Sequence, residues 1–200
     1  MFKKIKIENF RGINSLIIQP INKINVFVGD NMVGKTAILD SIFIAINPND
    51  PLLPFRTNKF RNIDYPINTS QVLSFFNYNK TEKNILISLE NDVRKRVIKI
   101  SPKFKISGKS NFDKLLNETE IKENKSEISS TTENKYNIAG IEENFIVNGN
   151  KYKSTVEIVG PNLIEAKGDP NFKQDIKGRY LNSATFNNKN LIEIYIIVLS

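Results

Sequence analysis

The chain opens on a two-residue alternation. Phe2, Ile5 and Ile7 stand against Lys3, Lys4, Lys6 and Glu8, which predicts a strand over residues 2–9 with one face buried. Arg11-Gly12 is a turn signal, and Leu16-Ile17-Ile18 predicts a second short strand stopped by Pro20. Residues 24–28 (Ile-Asn-Val-Phe-Val) are almost continuously apolar, the pattern of a central strand covered on both faces. From about Gly34 to Ile46 apolar residues fall nearly all round a helical wheel, predicting a well-buried helix, and Asn47-Pro48-Asn49-Asp50-Pro51 ends it.

Residues 48–70 read as loop-rich, punctuated by Pro48, Pro51, Pro54 and Pro66, with Phe55, Arg56, Lys59, Phe60 and Arg61 inside the stretch. Residues 70–76 fit a short helix or a strand. Residues 84–91 and 93–100 predict an antiparallel pair turning at Asn91-Asp92. Residues 107–137 are rich in Lys, Glu, Asn, Ser and Thr and read as a mobile insertion in which Phe112, Leu115 and Leu116 could form one helical turn. A second hairpin is expected from 144–147 and 151–159 around Asn148-Gly149-Asn150, and a further strand over 179–185. The last stretch, 190–200, fits a helix start or a buried strand; it stops in mid-apolar run, which predicts that the chain is a fragment.

The apolar strand and the apolar helix enclose Gly29-Asp30-Asn31-Met32-Val33-Gly34-Lys35-Thr36, which fits the phosphate-binding loop G-x-x-x-x-G-K-[ST]. Strand, loop and helix in that order are the context the motif requires. A tight backbone bend aims successive N–H groups at one anion, and the helix start adds its positive dipole end. Lys35 is then expected at the β- and γ-phosphates, and the Thr36 hydroxyl on Mg²⁺. A nucleoside triphosphate is the expected ligand. Met32 and Val33 are large for the curve, and a positive φ at either would cost on the order of 1–3 kcal/mol.

Composition narrows the chemistry further. The 200 residues are enough for one core and a small lobe, and they include neither cysteine nor histidine. Disulfides, zinc–thiolate sites, cysteine nucleophiles and histidine acid–base chemistry are excluded for this chain. No N-terminal signal peptide and no membrane-length apolar span is present, so a cytoplasmic protein is expected. The formal net charge of +8 permits non-specific DNA binding. The densest basic run is Arg94, Lys95, Arg96, Lys99, Lys103, Lys105 and Lys109. It reads either as a DNA-backbone patch or, more economically, as a solvated edge-strand face. Asp40 is expected to face a neighbouring base and is given no catalytic role. Glu118, Glu120 and Glu123 read as solvated insertion.

The run Ile7-Glu8-Asn9-Phe10-Arg11-Gly12, followed by residues 24–29, the loop and its helix, resembles the N-terminal start of ABC-type ATPase heads. The relatives it is most similar to are RecF-like and OLD-type ATPases. The resemblance is sharp over residues 1–46 and loose over 84–105 and 144–185. It implies an α/β P-loop NTPase of the ABC-ATPase head type, with a mixed sheet and an antiparallel β-lobe, of which this chain is the N-terminal portion. Residues 1–47 would be the P-loop core, 48–106 a loop-rich and antiparallel β segment, 107–137 the insertion, and 138–200 a hairpin leading toward a helical lobe. It further implies ATP and Mg²⁺ as cofactors, a homodimer closing through the head, and a role in DNA transactions or phage defence. Arg11 would lie near the phosphates; read from its residue type alone it is a solvated turn arginine. The family's Walker B acid, Leu-Ser-Gly-type signature and switch histidine have no counterpart in the sequence. Residues 85–92 superficially resemble an apolar strand ending in acid, but their position before a basic strand favours an ordinary hairpin. The chain alone is therefore expected to bind nucleotide and hydrolyse it poorly, and a non-hydrolysing regulatory module stays open beside the enzyme.

Overall fold

A computed structural model describes residues 2–30, 33–59, 68–106, 136–160, 163–174 and 195–198. Strand β1 (Lys4–Phe10) turns at Arg11-Gly12 into β2 (Ile13–Ile18). Strand β3 (Ile24–Phe27) leads through the glycine-bounded loop into helix α1 (Lys35–Ile46). Two short helices follow, α2 (Leu53–Lys59) and α3 (Thr69–Leu73). Strands β4 (Ile85–Glu90), β5 (Lys95–Ile106), β6 (Tyr136–Val147), β7 (Asn150–Gly160) and β8 (Leu163–Lys167) run consecutively, and β9 (Tyr195–Val198) comes last.

Seven strands form one sheet in the order β2-β1-β4-β5-β6-β7-β8, and β3 pairs with β9 in a second. Every pairing among the described residues is antiparallel, which corrects the expectation of a mixed sheet. The hairpins arise where turn chemistry permits. Asn91 Oδ1 accepts from the N–H groups of Val93 and Arg94, closing β4 onto β5. Asn148 (φ 50) and Gly149 (φ 89) supply the two left-handed residues of a primed turn between β6 and β7. Residues 85–92 are thus an ordinary hairpin arm, as their alternation indicates.

The inner face of the large sheet carries Ile5, Ile7, Ile85, Ile87, Leu89, Ile98, Ile100 and Ile141, all fully buried. Helix α1 lies on this face and adds Ile42, Ile44, Ala45 and Ile46. Burying a side chain of this size contributes about 1.5–3 kcal/mol, so this layer dominates the fold's stability. On the outer face, lysines and glutamates pair across strands: Lys4 with Glu90 at 2.9 Å, Lys153 with Glu142 at 2.7 Å, and Lys103 with Glu157. Each of these lysines, by hydrogen bonding, holds its partner carboxylate below the usual range.

One other expectation changes. Residues 24–28 are not a strand covered on both faces: Ile24, Val26 and Val28 are 60%, 53% and 61% exposed. A short apolar run fixes a strand but not what covers it, and among the described residues only β9 flanks this one. Within the loop-rich stretch 48–70, Leu53–Lys59 form α2, where Pro54 sits in the first turn and its missing N–H costs no helical bond. Residues 70–76 resolve mainly into α3, whose first turn is capped by Asn68 accepting from Gln71 N–H. Residues 107–135 and the 179–185 strand lie outside the described residues, whereas Tyr136 and Asn137 belong to β6. The terminal apolar run contains a strand, β9.

Candidate phosphate-binding site

The site is built where β3 hands over to α1. Gly34 is the N-cap of α1, with φ 97 and ψ 2, a left-handed conformation that side-chain-bearing residues rarely adopt. Its carbonyl accepts from Ile38 N–H at 3.1 Å, which starts the helix. The first turn of α1 has neither a side-chain cap nor an acidic residue, so no side chain there offsets the positive end of the dipole. Lys35 is buried, 6% exposed, and turns back over the loop. Its Nζ donates to the carbonyls of Gly29 at 2.7 Å and Asp30 at 2.6 Å. One ammonium thereby ties the first residue of the loop to the first residue of the helix. Thr36 follows, half-buried, at the same helix end. Val33 is exposed and is not among the residues of positive φ, so the strain considered for it does not arise. Asn31 and Met32 lie outside the described residues.

Arg11 occupies the β1–β2 turn with φ 51. Its side chain is 9% exposed and so is not a solvated turn arginine. The Nε lies 3.4 Å from Oδ2 of fully buried Asp40, and Nη2 donates to Thr57 Oγ1 at 2.7 Å. The guanidinium carbon stands 5.3 Å from the Phe10 ring centroid and 5.9 Å from that of Phe75. Asp40 is one turn beyond Thr36 on α1, so the turn and the phosphate-loop helix are braced together. The expectation that Asp40 faces a base is met, and that base is Arg11.

Two residues escaped the sequence reading. Arg96, placed in the solvated basic run, is 1% exposed. Its Nη1 donates to the carbonyls of Ala45 at 3.1 Å and Ile46 at 3.0 Å, completing the C-terminal end of α1. The alternation of β5 carried the signal, since Arg96 shares its face with Ile98 and Ile100. Gln174 Nε2 reaches the same Ile46 carbonyl at 2.7 Å. The second is Glu143 on β6, fully buried, with Oε2 accepting from Ser154 Oγ at 3.1 Å. Burial pushes its carboxyl up to about 8, and the negative charge of Asp50 adds to the shift. The alternation of β6 carried the signal here too, since Glu143 shares its face with Ile141 and Phe145. Near the same end of α1 lies a cleft of about 410 Å³ bordered by Asn47, Asn49, Asp50, Arg56, Phe172 and Gln174.

The remaining basic run divides: Arg94, Lys95, Lys99 and Lys105 are exposed, Lys103 is half-buried, and Lys109 lies outside the described residues. Phe55, from the expected basic–aromatic loop, is a core residue packed edge-on against Phe75 at 4.9 Å. Among the described residues, no group of three or more acidic side chains could hold a metal ion. No helix among them is long and apolar enough to cross a membrane.

The AAA domain family model matches residues 4–193. The DNA replication and repair protein RecF of Clostridium beijerinckii is 30% identical over 96 residues, which cover 48% of this chain and 25% of that protein. RecF of Teredinibacter turnerae is 38% identical over 61 residues, 30% of this chain and 15% of its own length. The uncharacterized protein YbjD of Escherichia coli is 32% identical over 60 residues, 30% of this chain and 11% of its length. The matched part of the chain thus spans a quarter or less of each of these relatives. No solved structure matches the chain. With nearly its whole length matched, the chain belongs to the AAA domain family, and it carries a RecF-like, ABC-type P-loop ATPase region.

Proposed function

We propose that the chain is the ATP-binding N-terminal part of a RecF-like, ABC-type ATPase of the cytoplasm that acts in DNA repair or phage defence. Residues Gly29, Asp30, Asn31, Met32, Val33, Gly34, Lys35 and Thr36 would hold the phosphates, with Arg11 as additional counter-charge. The supporting observation is the Lys35 ammonium, seated on the Gly29 and Asp30 carbonyls beside a left-handed Gly34. Phosphates entering at the helix start would draw that ammonium outward and replace two neutral acceptors with charged ones, a stronger hydrogen bond. The donor set fits Mg²⁺ at Thr36 Oγ1, since that ion is held by few protein oxygens together with phosphate oxygens and water. When bound, Mg²⁺ would neutralise charge developing on the phosphate oxygens. The brace from Arg11 to Asp40 keeps a second cation at the flank of the same helix.

Hydrolysis needs more than this chain offers. A water-positioning group and an acidic metal partner have no counterpart in it, so turnover would belong to the complete, dimeric protein. The alternative reading is a nucleotide-binding module that never hydrolyses. Calorimetric titration of the purified chain with Mg-ATP tests the shared claim. Binding that Lys35→Ala abolishes supports it; binding unchanged by that substitution refutes it. Steady turnover by the isolated chain, lost in Lys35→Ala, would overturn the assignment of hydrolysis to the complete protein.

A further inference from the structure

Helix α1 runs for 12 residues, about 18 Å, from the phosphate loop toward a cleft at its other end. The cleft measures about 410 Å³, within the roughly 300–1,000 Å³ of small-molecule pockets. Its walls divide by chemistry. Phe43, Leu53 and Phe172 form the apolar part. The Phe172 ring is set edge-on against Phe145 at 5.2 Å and against Tyr152 at 5.1 Å, which fixes its place. Arg56 and Asp50 form the charged part. Asp50 Oδ1 accepts from Leu52 N–H at 3.3 Å, and Oδ2 accepts from Arg56 Nη1. The Arg56 guanidinium is thereby held by one nitrogen, and its Nε and Nη2 have no hydrogen-bond partner among the described residues.

We propose that this cleft binds a small organic carboxylate with an aromatic body, its two oxygens on the Nε–Nη2 edge of Arg56 and its ring against Phe43, Leu53 and Phe172. A carboxylate is planar, and its oxygens match the parallel N–H bonds of one guanidinium edge. Asp50 orients that edge in advance, so little rotamer freedom is lost on binding. Asp50 also limits the charge of the ligand. A phosphate dianion would meet the Asp50 carboxylate at close range, whereas a monoanion meets less repulsion. An amine would face the Arg56 cation itself. The apolar wall supplies most of the contact area, and aromatic rings pack on one another edge-on or offset. The site stands apart from the phosphate loop and requires nothing of the nucleotide assignment.

Calorimetric titration of the whole chain with phenylpropionate at neutral pH, without nucleotide, tests this. A dissociation constant of about 1 mM or below is expected for a ligand of this size. Phenylpropanamide keeps the shape without the charge, and acetate keeps the charge without the ring. Each is expected to bind at least about tenfold more weakly than the acid. Arg56→Met keeps the stem and removes the fork; it is expected to weaken the acid about tenfold or more and to leave the amide within about twofold. Lys80→Met removes an exposed charge away from the cleft and is expected to stay within about twofold. No binding of the acid at about 10 mM, equal binding of acid and amide, or an unchanged affinity in Arg56→Met overturns the proposal. The comparison of acid with amide needs no substitution, so it stands even where a variant fails to fold. Lys35→Ala leaves acid binding intact if the cleft is the site, whatever becomes of the nucleotide assignment; loss of the acid in that variant would place it on the phosphate loop and overturn the proposal.

Discussion

Arg11 and Asp40, 29 positions apart in sequence, form a buried ion pair with Nε 3.4 Å from Oδ2. Truncating one partner of such a pair strands a charge away from water and typically costs about 3–5 kcal/mol. Replacing both by apolar groups of similar size costs much less. Asp40→Ala is therefore expected to lose roughly 3–5 kcal/mol in urea unfolding, and Arg11→Met/Asp40→Leu less than half of that. A double variant as unstable as the two single losses added together would show that the pair is not coupled.

Gly34 begins α1 at φ 97, and a Cβ built there meets no atom within 4 Å. The cost of a side chain at this position is therefore backbone strain alone. Gly34→Ala is expected to lose about 1–2 kcal/mol. Gly12 has equal space and no positive φ, so Gly12→Ala should change stability by less than about 0.5 kcal/mol. Urea midpoints of the two variants read the difference, and equal losses would contradict it.

Arg96 reaches from β5 to two terminal carbonyls of α1. Arg96→Met fills the volume but takes this donor from the Ala45 carbonyl, while Ile46 keeps Gln174, so a loss of about 1–3 kcal/mol is expected. Arg94→Met, two residues earlier and exposed, should stay within about 0.5 kcal/mol. Thermal unfolding of the pair provides the comparison; similar melting temperatures would remove Arg96 from the helix cap.

The local features of the fold were legible in the chain. Alternation in residues 2–9 and 84–100, the Asn91-Asp92 and Asn148-Gly149 turns, and the apolar helix ending at Asn47 follow from period and turn chemistry. The turn between β3 and α1 was legible because its glycines and lysine stand at fixed offsets. Long-range partnerships were not. Whether Arg96 caps a helix 50 residues away depends on where α1 lands on the sheet, and composition is silent on that. Proline density concealed α2, since Pro54 breaks a helix interior but not a first turn. The lengths of β5 and β6 were hidden for the same reason: each strand holds the other in place through pairs such as Ile98 with Phe145.

Glu143 makes stability depend on pH in an unusual direction. Its carboxyl, with an ordinary value of 4.5, titrates at about 8 in the fold. Below the ordinary value both folded and unfolded chains hold the proton, and burial exacts no ionisation penalty. Between 4.5 and 8 the unfolded chain releases its proton and the folded chain keeps it. The unfolded state therefore binds fewer protons, and stability falls as pH rises through this window. Above it the loss is complete, on the order of a few kcal/mol. Glu143→Gln cannot ionise and retains an acceptor for Ser154. Its melting temperature is expected to vary less than that of the parent chain between pH 5 and 9, with the parent falling more steeply toward high pH. Parallel curves for the two proteins would mean that Glu143 ionises at its ordinary value.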